Sequence, residues 1–273
     1  MIGAELRCRR DGLPVSPGVR HLIEQVIRGV EPDLLADTTA EQQATALGII
    51  DSFFRQAADL LEHPGRAPGW SYDDPVVIDG QGMTSRAFVR AFEAAAATTP
   101  AFAATLARPG VFLDVGAGAG WLAIEVARRW ANWTVVAIDR WAPALELAHR
   151  NIAAAQMQDR IALRRQDLDA LDDRGVFSLV WLPGPFLAAD AVRRNLDRLR
   201  RASIPGGWLV FSLFAPERTH WGEALRTLKA VRNGGHSWKR EELETMLADC
   251  GFASISSFSL AGSTITIARS QPI

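Results

Sequence analysis

The chain has 273 residues, with 30 Lys and Arg against 31 Asp and Glu, a formal net charge of −1 and only two cysteines. One to two domains of about 150 residues are expected from that length, and the near-neutral balance gives no long-range pull on a polyanion, so nucleic acid is not expected as a partner. No apolar stretch reaches the roughly 18 residues of a membrane span, the start around Arg7, Arg9 and Arg10 lacks the apolar core of a leader, and Cys8 and Cys250 suggest neither a disulfide framework nor a metal site; a cytoplasmic protein is expected.

From residue 16 to about 105 the signals are helical. Ser16-Pro17 starts a helix with Leu22, Ile23, Val26, Ile27 and Val30 on one face, ending at Glu31-Pro32; Thr39 with Glu41-Gln42 opens a second, with Ala46, Leu47, Ile50, Phe53, Phe54 and Ala57 inward. Residues 68–75, Pro-Gly-Trp-Ser-Tyr-Asp-Asp-Pro, read as an irregular aromatic loop. A third helix is expected from Thr84 to Ala97, with Phe88, Phe92 and Ala95 as its stripe.

Beyond residue 105 apolar strands alternate with helices, the pattern of a doubly wound α/β sheet. Strands are expected at 111–115, 133–138, 160–164, 176–181, 208–214, 253–260 and 263–268, with helices at 121–130, 143–155, 188–202 and 239–249. Pro205-Gly206-Gly207 reads as a turn, and Ala261-Gly262 makes the last two strands a hairpin. The division near 105 gives a helical region, 1–105, and an α/β domain, 106–273.

The most informative segment joins the first strand to its helix: Asp114-Val-Gly116-Ala117-Gly118-Ala-Gly120. Glycines at alternate positions let the backbone turn tightly beside a ligand, and the helix start leaves N–H groups unpaired. A G-x-G-x-x-G dinucleotide fingerprint would need glycine where this chain has Trp121, so a nicotinamide or flavin cofactor is disfavoured. Asp139 ends the second strand roughly 20 residues past the glycines, where a carboxylate can take both hydroxyls of a ribose.

The D-x-G-x-G-x-G pattern, with Asp139, the Gln166-Asp167-Leu168 segment after strand three, the P-G-G turn and the closing hairpin, resembles class I S-adenosylmethionine-dependent methyltransferases, and more closely a bacterial small-molecule group of them. The resemblance covers Phe112 to Ile267. It implies a seven-stranded Rossmann-like methyltransferase sheet with the last strand reversed and S-adenosylmethionine as cofactor; the N-terminal helical region, outside the resemblance, is expected to act as a lid that keeps water from the sulfonium. It also implies cofactor contacts from Asp114, Gly116, Ala117, Gly118, Gly120, Asp139 and Arg140, with Asp167 and Leu168 at the adenine. Leu182 and Pro183 would lie beside the methionine part; Gln81 and Arg86, polar residues of the helical region, are expected nearest its carboxylate. The chain departs from the family at Ser178, where an acid is usual, and in Leu182-Pro183-Gly184-Pro185, where nitrogen-methylating members carry N/D-P-P-Y/F.

Proton acceptors are scarce. His236, in Asn233-Gly-Gly-His-Ser-Trp238, sits on a glycine-bearing loop after strand five, and His220 is second. Nine tryptophans accompany a single tyrosine; Trp70, Tyr72, Trp181, Phe186, Trp221 and Trp238 fall on expected loops or strand ends and could wall an apolar acceptor pocket. The expectation is methyl transfer to an oxygen of an aromatic or polyketide-like small molecule, with no metal. A cofactor-binding protein that promotes cyclisation or rearrangement, and a silent partner subunit that dimerises through its helical region, stay open, as does a homodimer.

Overall fold

The computed structural model describes residues 1–31, 33, 35–217, 219–260 and 263–271. The Pro32 stop signal and the Ala261-Gly262 link lie outside the described residues. Two compact units result, one of Met1–Gly65 with Asp73–Thr84, the other of Arg66–Tyr72 with Ser85–Ile273.

The first unit is helical: α1 (Ile2–Asp11), α2 (Pro17–Val30), α3 (Ala40–Glu62) and α4 (Pro75–Met83). Side chains cap three of them, as residue type dictates. Ser16 accepts from the Val19 amide at the start of α2, Asp74 from the Val76 amide at the start of α4, and Thr39 with Gln42 forms a reciprocal capping box on α3. The Ser52 hydroxyl donates to the Val77 carbonyl where α3 packs on α4.

Two expectations for this unit need correction. On α2 only Ile23 and Ile27 are buried, while Leu22, Val26 and Val30 are 59%, 50% and 73% exposed; on α3 Phe53 and Phe54 face out and Leu47 and Ser52 face in. Apolar spacing marks a face but not what covers it. α1 and α4 were not expected either. The run Val-Val-Ile-Asp-Gly-Gln-Gly of α4 has low helix propensity, and its helix rests on the Asp74 cap, on Pro75 at the first turn and on packing against α3.

In the second unit the sheet comprises β1 (Gly110–Val115), β2 (Trp133–Asp139), β3 (Ile161–Arg165), β4 (Phe177–Leu182), β5 (Ser203–Phe214), β6 (Phe252–Leu260) and β7 (Ser263–Ser270), in spatial order β3-β2-β1-β4-β5-β7-β6. β1 to β5 pair in parallel, and β7 inserts antiparallel between β5 and β6. Around them stand α5 (Phe88–Thr98), α6 (Pro100–Leu106), α7 (Trp121–Arg129), α8 (Ala142–Ala154), α9 (Ala189–Ala202), α10 (His220–Arg232) and α11 (Arg240–Asp249). The seven-stranded, doubly wound fold expected from the sequence is the fold observed.

One face of the sheet buries Phe112, Leu179, Trp181 and Trp208 under α5, α6 and α7; the other buries Leu113, Val180 and Phe211 under α9 and α11. Strands covered on both faces read as continuous apolar runs, and here they do. The α5 and α6 helices belong to this unit, so its compact boundary precedes residue 105: their Phe92 and Phe102 are fully buried against Phe112 and Trp208. Pro205-Gly206-Gly207 is not a turn before β5 but part of it, where the pairing with β4 shifts register between Phe177 and Leu179. The stretch 220–232, left without an element by its sequence, is α10.

Candidate active site

Strand order reverses between β1 and β4, and a crevice outside the carboxyl ends of the strands at such a point is where open α/β sheets take ligands. The glycine turn lies there. Gly116, Gly118 and Gly120 have φ of +67°, +56° and +79°, a region that L side chains avoid. A Cβ on Gly118 would have open space around it, so the conformation and not crowding requires glycine. The α7 helix follows Gly120, which has no side chain to cap it, and the Ala123 amide in its first turn bonds the Asp114 carboxyl.

Asp139 holds this turn from the next strand. Its Oδ2 accepts from the Gly118 amide at 2.8 Å and its Oδ1 from the Trp141 amide at 2.8 Å. With the Arg140 amide bonding it as well, the carboxylate retains a lone pair able to accept a hydroxyl. Burial pushes the Asp139 carboxyl up, and the Trp141, Gly118 and Arg140 amides oppose that shift by bonding the charged form. The charge of Arg140 acts in the same direction as those amides, and its guanidinium lies 3.8 Å from the Asp167 carboxylate. Asp167 itself caps the short turn Leu168–Ala170 by accepting from the Asp169 amide at 3.1 Å, with Leu168 buried beneath.

Asp114, at the end of β1, is 1% exposed and its Oδ2 has no hydrogen-bond partner. Burial pushes its carboxyl up to about 8, with the Asp139 charge acting in the same direction and an Ala123 amide bond opposing. The folded state therefore holds a proton that the unfolded chain releases near pH 4. The contribution to stability is complete below that pH and is lost as pH rises through about 8. Asp114→Asn, which mimics the neutral acid, is expected to melt several degrees above the parent at pH 8.5, since about 1 kcal/mol moves Tm by 2–4 °C in chains of this size. The gap should close by pH 5, and parallel melting curves at the two pH values would show it.

At the end of β4, Pro183 leads into a turn from Gly184 to Phe186. The 233–238 loop packs on that turn: a Cβ on Gly235 would fall 1.9 Å from the Pro185 carbonyl oxygen, and the Trp238 indole donates to the Gly184 carbonyl at 3.2 Å. His236 is thereby held at the carboxyl end of β4. Its ring stands edge-on to Trp238, centroids 4.8 Å apart, and its Nε2 lies 3.3 Å from Glu242 Oε2. Glu242 also accepts from Arg193 at 3.0 Å, which fixes the carboxylate that orients the imidazole. Gly235→Ala is expected to lower stability by about 1–3 kcal/mol, the cost of forcing a methyl into packed structure, as a denaturant midpoint would report.

The aromatic segment 66–72 belongs to the same unit. Trp70 packs edge-on against Tyr72 and Phe186 at 5.2 and 5.9 Å, and the Arg66 guanidinium lies over the Tyr72 ring at 4.5 Å while donating to the Tyr72 hydroxyl. The Gly69 amide donates to the Arg232 carbonyl, and the Trp141 indole donates to the Tyr72 carbonyl at 2.7 Å. The segment thus spans from the end of β2 to the turn after β4.

The structure brings together Gly116, Ala117, Gly118, Gly120, Asp114, Asp139, Arg140, Asp167, Leu168, Leu182 and Pro183 along this edge, with Trp70, Tyr72, Phe186 and His236 beside it. Four aromatic or basic candidates differ from expectation. Trp181 is buried within β4 against Phe88 and Phe92, a core position and not a wall; Trp238 is buried against Phe211 as a brace for the 233–238 loop. Trp221 stands 72% exposed and His220 is exposed, both in the first turn of α10, because the segment is helical and not a loop over the edge. Arg86 bonds Glu125 and lies over the Trp121 ring, at the start of α7; Gln81 donates to Thr84 in the helical unit. Sequence reasoning missed Glu242, Arg66 and Trp141. The D-R-W sequence after β2 was the one available signal for Trp141; nothing local marks Glu242, which reaches His236 only through the path of α11.

A family model described as a methyltransferase domain matches residues 86–257, more than half of the chain. The malonyl-[acyl-carrier protein] O-methyltransferase of Geobacter sulfurreducens is 29% identical over 164 residues, 55% of this chain and 58% of that protein, so the match spans less than two thirds of the relative. An O-methyltransferase family protein from Burkholderia thailandensis superposes with a TM-score of 0.64 at 18% identity, covering 82% of this chain and 71% of that one. Human N-acetylserotonin methyltransferase, solved in complex with SAM, gives 0.58 at 15% identity over 85% and 71% of the two chains. At these identities the two structures speak to the fold alone.

Proposed function

Because this chain belongs to the methyltransferase-domain family, we propose that it transfers a methyl group to an oxygen of a small aromatic or polyketide-like acceptor. S-adenosylmethionine is the cofactor, and when bound it supplies an electrophilic methyl on a sulfonium that is already a good leaving group. The residues present fit it: Gly118 leaves open space, Asp114 presents a buried oxygen without a partner, and Asp139 keeps a lone pair for a hydroxyl. Asp139 would hold the ribose, Asp167 and Leu168 the adenine, and Leu182 with Pro183 the methionine part. No helix among the described residues is long and apolar enough to cross a membrane.

The observation that carries an oxygen acceptor is the His236–Glu242 pair beside the turn after β4. A hydroxyl nucleophile must lose its proton, and a base oriented by a carboxylate can take it. The rest is positioning: nucleophile and methyl must meet in line, with water kept out by Trp70, Tyr72 and Phe186. The names of the O-methyltransferase relatives agree with this reading, as does the absence of the N/D-P-P-Y/F segment.

The test is incubation with methyl-labelled S-adenosylmethionine and a panel of phenolic and polyketide-like hydroxyl compounds. Label is expected in a methyl ether. Cofactor binding with an altered carbon skeleton and no label transfer would instead establish cyclisation or rearrangement.

A further inference from the structure

We propose that Trp141 is a positioning residue that ties the cofactor site to the aromatic wall of the acceptor site, so that filling the first orders the second. The inference rests on the function proposed above. Two hydrogen bonds of one residue carry it. The Trp141 main-chain amide donates to Asp139 Oδ1 at 2.8 Å, and its indole N–H donates to the Tyr72 carbonyl at 2.7 Å. The other oxygen of the same carboxylate holds Gly118 in the glycine turn. Asp139 thus links the turn directly to Trp141, and Trp141 links that carboxylate to residues 66–72.

At the far end of the segment, Trp70 packs on Phe186, in the turn that Gly235 and Trp238 press against from the His236 loop. The connection therefore runs from the ribose-holding acid, through one indole, to the aromatic wall and on to the loop that bears the base. Segment 66–72 contains no helix or strand; Arg66 bonds Gly69, Ser71 and Tyr72 within it, and the Gly69 amide to the Arg232 carbonyl ties its backbone to α10. An irregular segment joined by a directed bond to a ligand-gripping residue is the kind of element whose order a ligand changes, and coupling of this kind needs no large displacement.

The experiment is hydrogen exchange of peptides spanning 66–72, with and without S-adenosylhomocysteine, in the parent chain and in Trp141→Phe. Calorimetric titration of the same ligand and a melting curve accompany each protein. In the parent, the ligand is expected to slow exchange at Gly69 by about fivefold, the worth of one hydrogen bond. Trp141→Phe keeps the amide that serves Asp139 and most of the packing. It should bind S-adenosylhomocysteine within about threefold of the parent while losing the exchange response, because the net worth of the lost bond falls on the 66–72 segment. Binding without any change of exchange in the parent overturns the inference whatever the variant does, and an undiminished response in a folded Trp141→Phe also overturns it. Failure of the parent to bind S-adenosylhomocysteine would overturn the proposed function instead, so the two failures are distinguishable.

Discussion

His236→Ala is expected to lower the single-turnover rate of methyl transfer by about 10²–10⁴, the range that a positioned general base contributes, while cofactor affinity stays near that of the parent. The imidazole is held by three independent contacts: Glu242 at Nε2, the Trp238 ring edge-on, and the loop pressed onto the Pro185 carbonyl. On the proposed function, a side chain so oriented at the carboxyl end of β4 would deliver one nitrogen to an acceptor bound at the strand ends. Loss of the base should remove its limb from the pH–rate profile as well as lowering the rate. Glu242→Gln should give a smaller loss of the same kind, since it leaves the base and removes only the charge that orients it. Rapid-quench turnover with a labelled cofactor measures both. A parental rate and profile in His236→Ala would leave methyl transfer to positioning alone and rule out a histidine base at this loop.

Asp139→Ala is expected to weaken S-adenosylmethionine by about 10²–10³, from hydrogen bonds to a charged acceptor worth roughly 1.5–3 kcal/mol each. Two effects add. The ribose loses its acceptor, and the Gly118 and Trp141 amides lose theirs, so the turn that shapes the site loosens as well. Asp139→Asn separates the two: an amide oxygen can still take one of the amides, so the turn is partly retained while the charge is gone. It should bind more tightly than Asp139→Ala and more weakly than the parent. Calorimetric titration orders the three proteins, and equal affinity across them would remove Asp139 from cofactor binding.

The sequence by itself determined the sheet and its reactive edge. Apolar runs at the strands of the second unit must be buried on both faces, so the doubly wound fold follows from composition and alternation. Glycines 116, 118 and 120 have to sit where φ is positive, so the turn follows from stereochemistry, and Asp139 at the end of the next strand falls beside it for any parallel neighbour. Local chemistry likewise set the Thr39–Gln42 box and the Ser16 cap.

Tertiary structure decided what depends on partners distant in the chain. The insertion of β7 between β5 and β6 is a matter of long-range pairing that no local pattern encodes. Trp181 looks like a strand-end aromatic until α5 brings Phe88 and Phe92 over it, and Phe54 looks like a core residue until nothing among the described residues covers it. The approach of residues 66–72 to the sheet edge, the bond from Trp141 to Tyr72 and the pairing of His236 with Glu242 all join segments whose own sequences carry no mark of one another. Backbone stereochemistry and burial act within a few residues and are legible locally; hydrogen bonds between side chains and remote backbone exist only once the packing of the unit has placed them.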